Sequence, residues 1–184
     1  MSHPAIAASA ILCYLASTAV IGTRLFRADA AWVPPRGLGI WAAFLGLGLH
    51  TWLVYAGIFS QPGLNLGFFN ALALTSWTVV TLLLFSSTTK PVENLGLVLL
   101  PMAALTLFLD ARNPSASFMS QAAGWNLKIH VLLSMLAYSL LTLASVQAIL
   151  LAIPDGHLRS RHPGGFIRAR PPLQTMERLL FEMI

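Results

Sequence analysis

Charge is scarce in this sequence: only 9% of its 184 residues are Asp, Glu, Lys or Arg. Soluble domains carry roughly a quarter. So few charges cannot clothe a globule in solvated side chains, which excludes an ordinary soluble domain. Cysteine is nearly absent as well. Cys13 is the only one, so an internal disulfide is excluded, and C-x-x-C redox chemistry and thioether attachment of haem with it. Cys13 lies in an apolar run, where it reads as a small core residue. Acidic residues are the rarer sign, six against eleven basic, for a net charge of +5. In a soluble chain that balance would suggest nucleic acid. Here the basic residues sit at the ends of apolar runs and in one tail, a pattern that suits lipid headgroups and topology setting. The expected partner is therefore the lipid bilayer, and no nucleic acid.

Apolar residues make up 57% of the chain, gathered into five runs. Each is long enough to cross a hydrocarbon core of about 30 Å. The expected spans are 4–26, 37–59, 64–85, 91–110 and 127–153, an all-α transmembrane bundle forming one domain over 1–153. Turn signals separate them: Pro34-Pro35, Gln61-Pro62-Gly63, Asn113-Pro114 and Pro154-Asp155-Gly156. The first run ends near Ala28-Asp29-Ala30, which has the form of a signal-peptide cleavage site. No Lys or Arg precedes that run, and Arg24 and Arg27 follow it, so it reads as a retained helix. An N-terminus outside puts nine of the eleven basic residues in the cytoplasm and two outside. The segment 154–184 reads as a basic cytoplasmic tail. Leu173, Met176, Leu179, Leu180 and Met183 give it one apolar helical face, that of an interfacial helix or the entry to a further span.

Two ionisable groups fall inside spans, His50 and His130, and such groups are functional candidates. On helical spacing both sit in the outer half of the membrane at similar heights. His50 shares a row with Ala43, Gly46 and Gly57, leaving room for a close helix or a flat ligand. His130 shares a row with Ser134, Ala137 and Tyr138, which is expected to face the bundle. A comparable stripe runs through Asn70, Ala73, Trp77, Thr78 and Thr81. Helical bundles hold haem iron by histidines from separate helices. Residues alone leave two readings open for each: haem or metal ligand, or packing residue bonded to a neighbouring helix. His3, His157 and His162 read as solvated residues. Asp110 is expected to end the fourth helix and pair with Arg112. Trp32, Trp41, Trp52 and Trp125 suit an aromatic belt. The loop 113–126, with Phe118 and Met119, is placed to lie over an outer site as a lid.

The segment Trp125-Asn-Leu-Lys-Ile-His130-Val-Leu-Leu-Ser-Met-Leu-Ala-Tyr138 resembles the cytochrome c assembly protein family. Asn65-Leu-Gly-Phe-Phe-Asn70-Ala-Leu-Ala-Leu-Thr-Ser-Trp77 is similar to another of its helices. His162-Pro-Gly-Gly and Pro171-Pro-Leu-Gln-Thr-Met-Glu-Arg178 are similar to its shorter bacterial inner-membrane branch. That branch lacks the family's tryptophan-rich segment, and so does this chain. The resemblance implies a haem-handling protein of the inner membrane that acts in cytochrome c assembly without bond chemistry of its own. His130 would be an outer haem ligand and His50 an intramembrane one, holding non-covalent b-type haem. Partners would be haem, apocytochrome c and other cytochrome assembly proteins. The resemblance also implies that the chain corresponds to the N-terminal part of a longer protein of about eight helices. A transporter or channel subunit, with His50, Asn70, Ser76 and Thr81 along a polar path, is the alternative, as is a b-type electron-carrier subunit.

Overall fold

The computed structural model describes residues 3–27, 32–59, 64–90, 92–113, 118–119 and 124–159. The tail from 160 onward, with His162 and the expected apolar face, lies outside the described residues, as do the side chains of His3 and His157.

The apolar runs form five helices: α1 (His3–Phe26), α2 (Arg36–Val54), α3 (Phe68–Thr89), α4 (Gly96–Arg112) and α5 (Trp125–Arg159). All five contain a stretch long and apolar enough to cross a membrane. Such runs can only be helical in lipid, where every backbone N–H and C=O needs an internal partner. A π-helical turn, Tyr55–Phe59, extends α2, and a 3-10 turn, Glu93–Leu95, leads into α4. Pro101 sits inside α4 without ending it.

Several boundaries differ from the spacing argument: α3 ends at Thr89 rather than 85, α4 begins at Gly96 rather than 91, and two further differences have a visible cause. The third helix begins at Phe68 rather than 64, because Leu64–Asn65 (β1) is extended and pairs antiparallel with Phe118–Met119 (β2). Asn65 Oδ1 accepts from the Gly67 N–H, which turns the chain into α3. The fifth helix runs on through Pro154 to Arg159; a proline removes one intrahelical bond but does not have to end a long helix.

The helices alternate in direction. Their beginnings at α1, α3 and α5 define what is called here the near face, and the opposite end is the far face. α1 packs on α2 and α4, and α3 packs on α4, α5 and α2. Helix α5 is peripheral, with α3 as its main partner. The main core runs from Ala10 and Tyr14 in α1 through Val80, Leu83, Leu99, Ala103 and Leu107 to Leu143 and Leu150 in α5. Lipid-facing surfaces carry Trp41 and Trp52 on α2 and Leu132, Leu133 and Leu141 on α5, all exposed.

Candidate functional site

The α1–α2 seam is built from two stripes of small residues. Ala7, Ala10, Tyr14 and Ser17 follow one face of α1, and Gly39, Ala43, Gly46 and His50 follow one face of α2; all are buried. A Cβ on Gly46 would stand 2.9 Å from two ring carbons of Tyr14, and one on Gly39 would stand 3.1 Å from Val20. The helices thus approach closely only because these side chains are missing. The Ser17 hydroxyl donates to the Gly39 carbonyl at 2.8 Å and ties the seam at its far end.

His50 is fully enclosed in this seam. Its Nδ1 lies 3.1 Å from the Tyr14 hydroxyl, with donor and acceptor set by the tautomer. The rings meet edge to face at 71°. Its Nε2 is buried with no hydrogen-bond partner. The Ala73 backbone of α3 lies beside the ring. Of the two occupants that the row beside His50 could take, a helix or a flat ligand, α1 is the one present. Gly57 leaves that row: the π-helical turn changes the phase, and a Cβ there would meet Asn70 Oδ1 of α3 at 3.4 Å.

His130 stands in a different environment. It is exposed, as is Ala137, and Tyr138 is 65% exposed. The expectation that this row faces the bundle is therefore corrected. The stripe of α5 that packs inward is Ser139, Leu143, Gln147 and Leu150, joined by Met135, which packs on Val54, Ile58 and Leu74. Ser139 Oγ lies 3.4 Å from the Thr75 carbonyl of α3. That contact also corrects the height argument. His130 lies nine residues nearer the near face than Ser139, while the Ala73 carbonyl beside His50 is only two residues beyond Thr75. At about 1.5 Å per residue, His130 is roughly 10 Å closer to the near face than His50. Two axial nitrogens on one iron are separated by only two metal–nitrogen bonds, so these imidazoles cannot share an iron in this arrangement.

Two cavities flank the Tyr14–His50 pair. One of about 320 Å³ opens at the near face, lined by Ala7, Gly57, Asn65, Asn70, Leu107 and Asp110 among others. The other, about 240 Å³, lies at the far face among α1, α2, α3 and the start of α4. Neither is lined by His50 or His130. Of the four residues expected along a polar path, Asn70 alone borders either of these two cavities. Ser76 instead bonds Thr106 of α4 at 2.7 Å, and Thr81 bonds the Trp77 carbonyl of its own helix at 2.8 Å. The Trp77 indole donates to Thr51 of α2 at 2.8 Å. Asp110 lines the near cavity rather than pairing with Arg112, whose guanidinium lies 5.3 Å over the Phe108 ring. The pairing of β2 with β1 puts part of the expected lid beside Asn65; 114–117 and 120–123 lie outside the described residues.

Among the described residues no three His, Cys, Asp or Glu side chains converge as a metal cluster. An exposed imidazole without a partner among the described residues, such as His130, can offer either ring nitrogen to an iron. His50 could do so only if the seam opened, since its unpartnered Nε2 has no bordering space. Three polar residues of the seam and its surroundings escaped the spacing argument: Tyr14, Ser17 and Gln147. The signal for Tyr14 was available, since it follows the small Ala7 and Ala10 at heptad spacing.

The sequence profile described as cytochrome c assembly protein matches residues 38–184. Three curated relatives, each called inner membrane protein YpjD, come from Escherichia coli strains K12, O6:H1 and O157:H7. Each is 27% identical over 186 residues, covering 98% of this chain and 68% of the relative. No solved structure matches the chain.

Proposed function

This chain belongs to the cytochrome c assembly protein family, and on that premise we propose that it holds haem for delivery to apocytochrome c in a bacterial inner membrane. Family membership supports a role in cytochrome c biogenesis. The relatives' description as inner membrane proteins supports the location. In this reading the near face is extracytoplasmic, because that orientation leaves nine of eleven basic residues inside. Haem is cargo here, and the chain forms no bond to it beyond ligation of the iron. The thioether links belong to the cysteines of apocytochrome c, brought together with other cytochrome assembly proteins. No enzymatic activity is assigned to the chain.

The observation that carries the haem reading is His130, an imidazole with no partner among the described residues, on an exposed apolar flank of α5 toward the near face. Leu127 and Leu133, one turn to either side, are 49% and 59% exposed and offer apolar surface to a porphyrin. Imidazole binds haem iron through a ring nitrogen, which alanine lacks. His50 is given a packing role, supported by its enclosure against Tyr14.

The test is the visible spectrum of protein purified from haem-replete membranes. The expected result is substoichiometric, exchangeable haem, reduced to a small fraction in His130→Ala and partly restored by added imidazole. An undiminished Soret band in His130→Ala removes His130 from the site. Stoichiometric, non-exchanging haem would favour an electron carrier, and no Soret band in wild type a transporter. Reporter fusions test the orientation: those after Ser60 and Asn113 should read as extracytoplasmic, and those after Arg36 and Arg170 as cytoplasmic.

A further inference from the structure

The far-face cavity is framed by the end of α1, the start of α2, the end of α3 and the start of α4. Its inner wall is apolar, with Ile21, Leu84 and Leu100 among the lining residues. Its mouth is polar and cationic. Arg36 is engaged there: it pairs with Glu93 and its guanidinium donates to the Ser87 carbonyl at 3.3 Å. Arg24 differs. It is half-buried, donates to the Pro34 carbonyl at 2.6 Å, and faces no carboxylate among the described residues. Among the described residues, one positive charge in this mouth is therefore left over once Arg36 and Glu93 are matched.

Backbone dipoles add to it. Helix α2 starts at Arg36 with no side-chain cap, since Pro35 precedes it, whereas the 3-10 turn that starts at the acidic Glu93 runs on into α4 and already bonds the Gly96 N–H. Arg36, Gly39 and Ile40 from the first start, and Glu93, Asn94 and Gly96 from the second, all line the cavity. The uncapped N-terminus of α2 at this opening favours an anion beside Arg24. Helix ends mark the level of the lipid headgroups, because the spans of α1 and α2 end and begin at Phe26 and Arg36.

We propose that this cavity binds the phosphodiester headgroup of an anionic phospholipid at Arg24, with part of an acyl chain against the apolar wall. Basic pockets between transmembrane helices are a recurrent way of holding such headgroups. A zwitterionic lipid brings its own cation to the mouth and gains less from Arg24. Free phosphate would leave the apolar wall uncovered. The site does not depend on the haem reading.

The full chain, purified in a neutral detergent, is titrated with dihexanoyl phosphatidylglycerol, dihexanoyl phosphatidylcholine and inorganic phosphate. Phosphatidylglycerol should bind about tenfold more tightly than phosphatidylcholine, and Arg24→Gln should remove about that factor, as loss of one charge-assisted hydrogen bond does. Arg24→Lys should retain most of the binding, which separates lost charge from lost fold. Arg27→Gln is the control. Arg27 is exposed, lies outside the cavity lining, and carries the same charge at the same helix end. Its loss should change affinity by no more than about twofold, as for an exposed surface charge. Equal binding of the two lipids overturns the proposal, as does an equal effect of Arg24→Gln and Arg27→Gln, which reports only general surface potential. Inorganic phosphate that binds as tightly as phosphatidylglycerol makes this a free-phosphate site and overturns the lipid assignment.

Discussion

In the seam between α1 and α2 a histidine is shut in by the neighbouring helix, whereas on α5 a histidine stands clear of the bundle. Both residues interrupt apolar runs, and both share a row with small residues. The difference lies in the partner. The α2 row Gly39, Ala43, Gly46 and His50 meets a matching row on α1, in which Ala7 and Ala10 leave room and Tyr14 supplies a hydroxyl. The α5 row of His130, Ser134, Ala137 and Tyr138 meets no such row. A second stripe on roughly the opposite side of the helix, Ser139, Leu143, Gln147 and Leu150, takes the contact with α3 instead. Small residues on one helix permit close approach, and a complementary stripe on a second helix decides whether it happens.

The sharpest way to break the comparison is to add volume to both rows. A Cβ on Gly46 already falls 2.9 Å from the Tyr14 ring, and that ring is fully buried against His50. Gly46→Leu should therefore destabilise the protein by about 3 kcal/mol, the upper part of the overpacking range. Ala137→Leu, on the exposed row of α5, should stay within about 0.5 kcal/mol of wild type. Unfolding in mixed micelles followed by helical signal measures both. Equal tolerance would mean that α1 and α2 do not touch along this stripe.

The second test removes a hydroxyl from each region. Tyr14→Phe leaves His50 Nδ1 without its partner, in a ring whose Nε2 is already unpartnered. An orphaned buried polar atom costs about 1–3 kcal/mol. Tyr138→Phe takes the same oxygen from a side chain that is 65% exposed, and no loss beyond about 0.5 kcal/mol is expected. A cost for Tyr138→Phe that matches Tyr14→Phe would show that α5 buries the face left open here.

Much of the fold was legible in the sequence because hydrophobic length is a one-dimensional property. Five spans follow from five runs; the late start of α3, which the spacing argument missed, comes from Asn65 and Gly67, which turn the chain beside a short antiparallel pair. Identifying His50 as a buried polar residue also needed only its own helix and the cost of such a group in lipid. Facing needed more. Whether α5 turns Ser134 or Ser139 inward depends on which carbonyl of α3 lies opposite, and Thr75 is 64 residues away in sequence. The Tyr14–His50 contact, over 36 residues, was hidden for the same reason, although the small residues before Tyr14 were in view. The far-face cavity depends on four helix ends at once and has no local signature beyond its arginines.

The smallest expected effect bears most directly on how α5 docks. Ser139 and Thr142 are hydroxyl residues less than one turn apart, and each donates to a carbonyl of its own helix at 2.7 Å. Ser139 differs in having the Thr75 carbonyl of α3 at 3.4 Å as well. Its intrahelical bond is shared, so removing the hydroxyl loses the interhelical part and a little buried volume. Interhelical hydrogen bonds in membrane proteins contribute about 0.6 kcal/mol on average, and this one is long. Ser139→Ala should therefore cost about 0.5 kcal/mol, while Thr142→Ala should cost close to nothing, because its hydroxyl reaches no second helix. So small a difference calls for a double-mutant cycle, with Thr75→Ala as a backbone-preserving control that leaves the accepting carbonyl in place. A larger loss at Thr142 than at Ser139 would mean that α5 is rotated about its axis relative to the arrangement described here. His130, about 120° from Thr142 around the helix, would then stand closer to α3, and the exposure on which its proposed role as a haem ligand rests would be reduced.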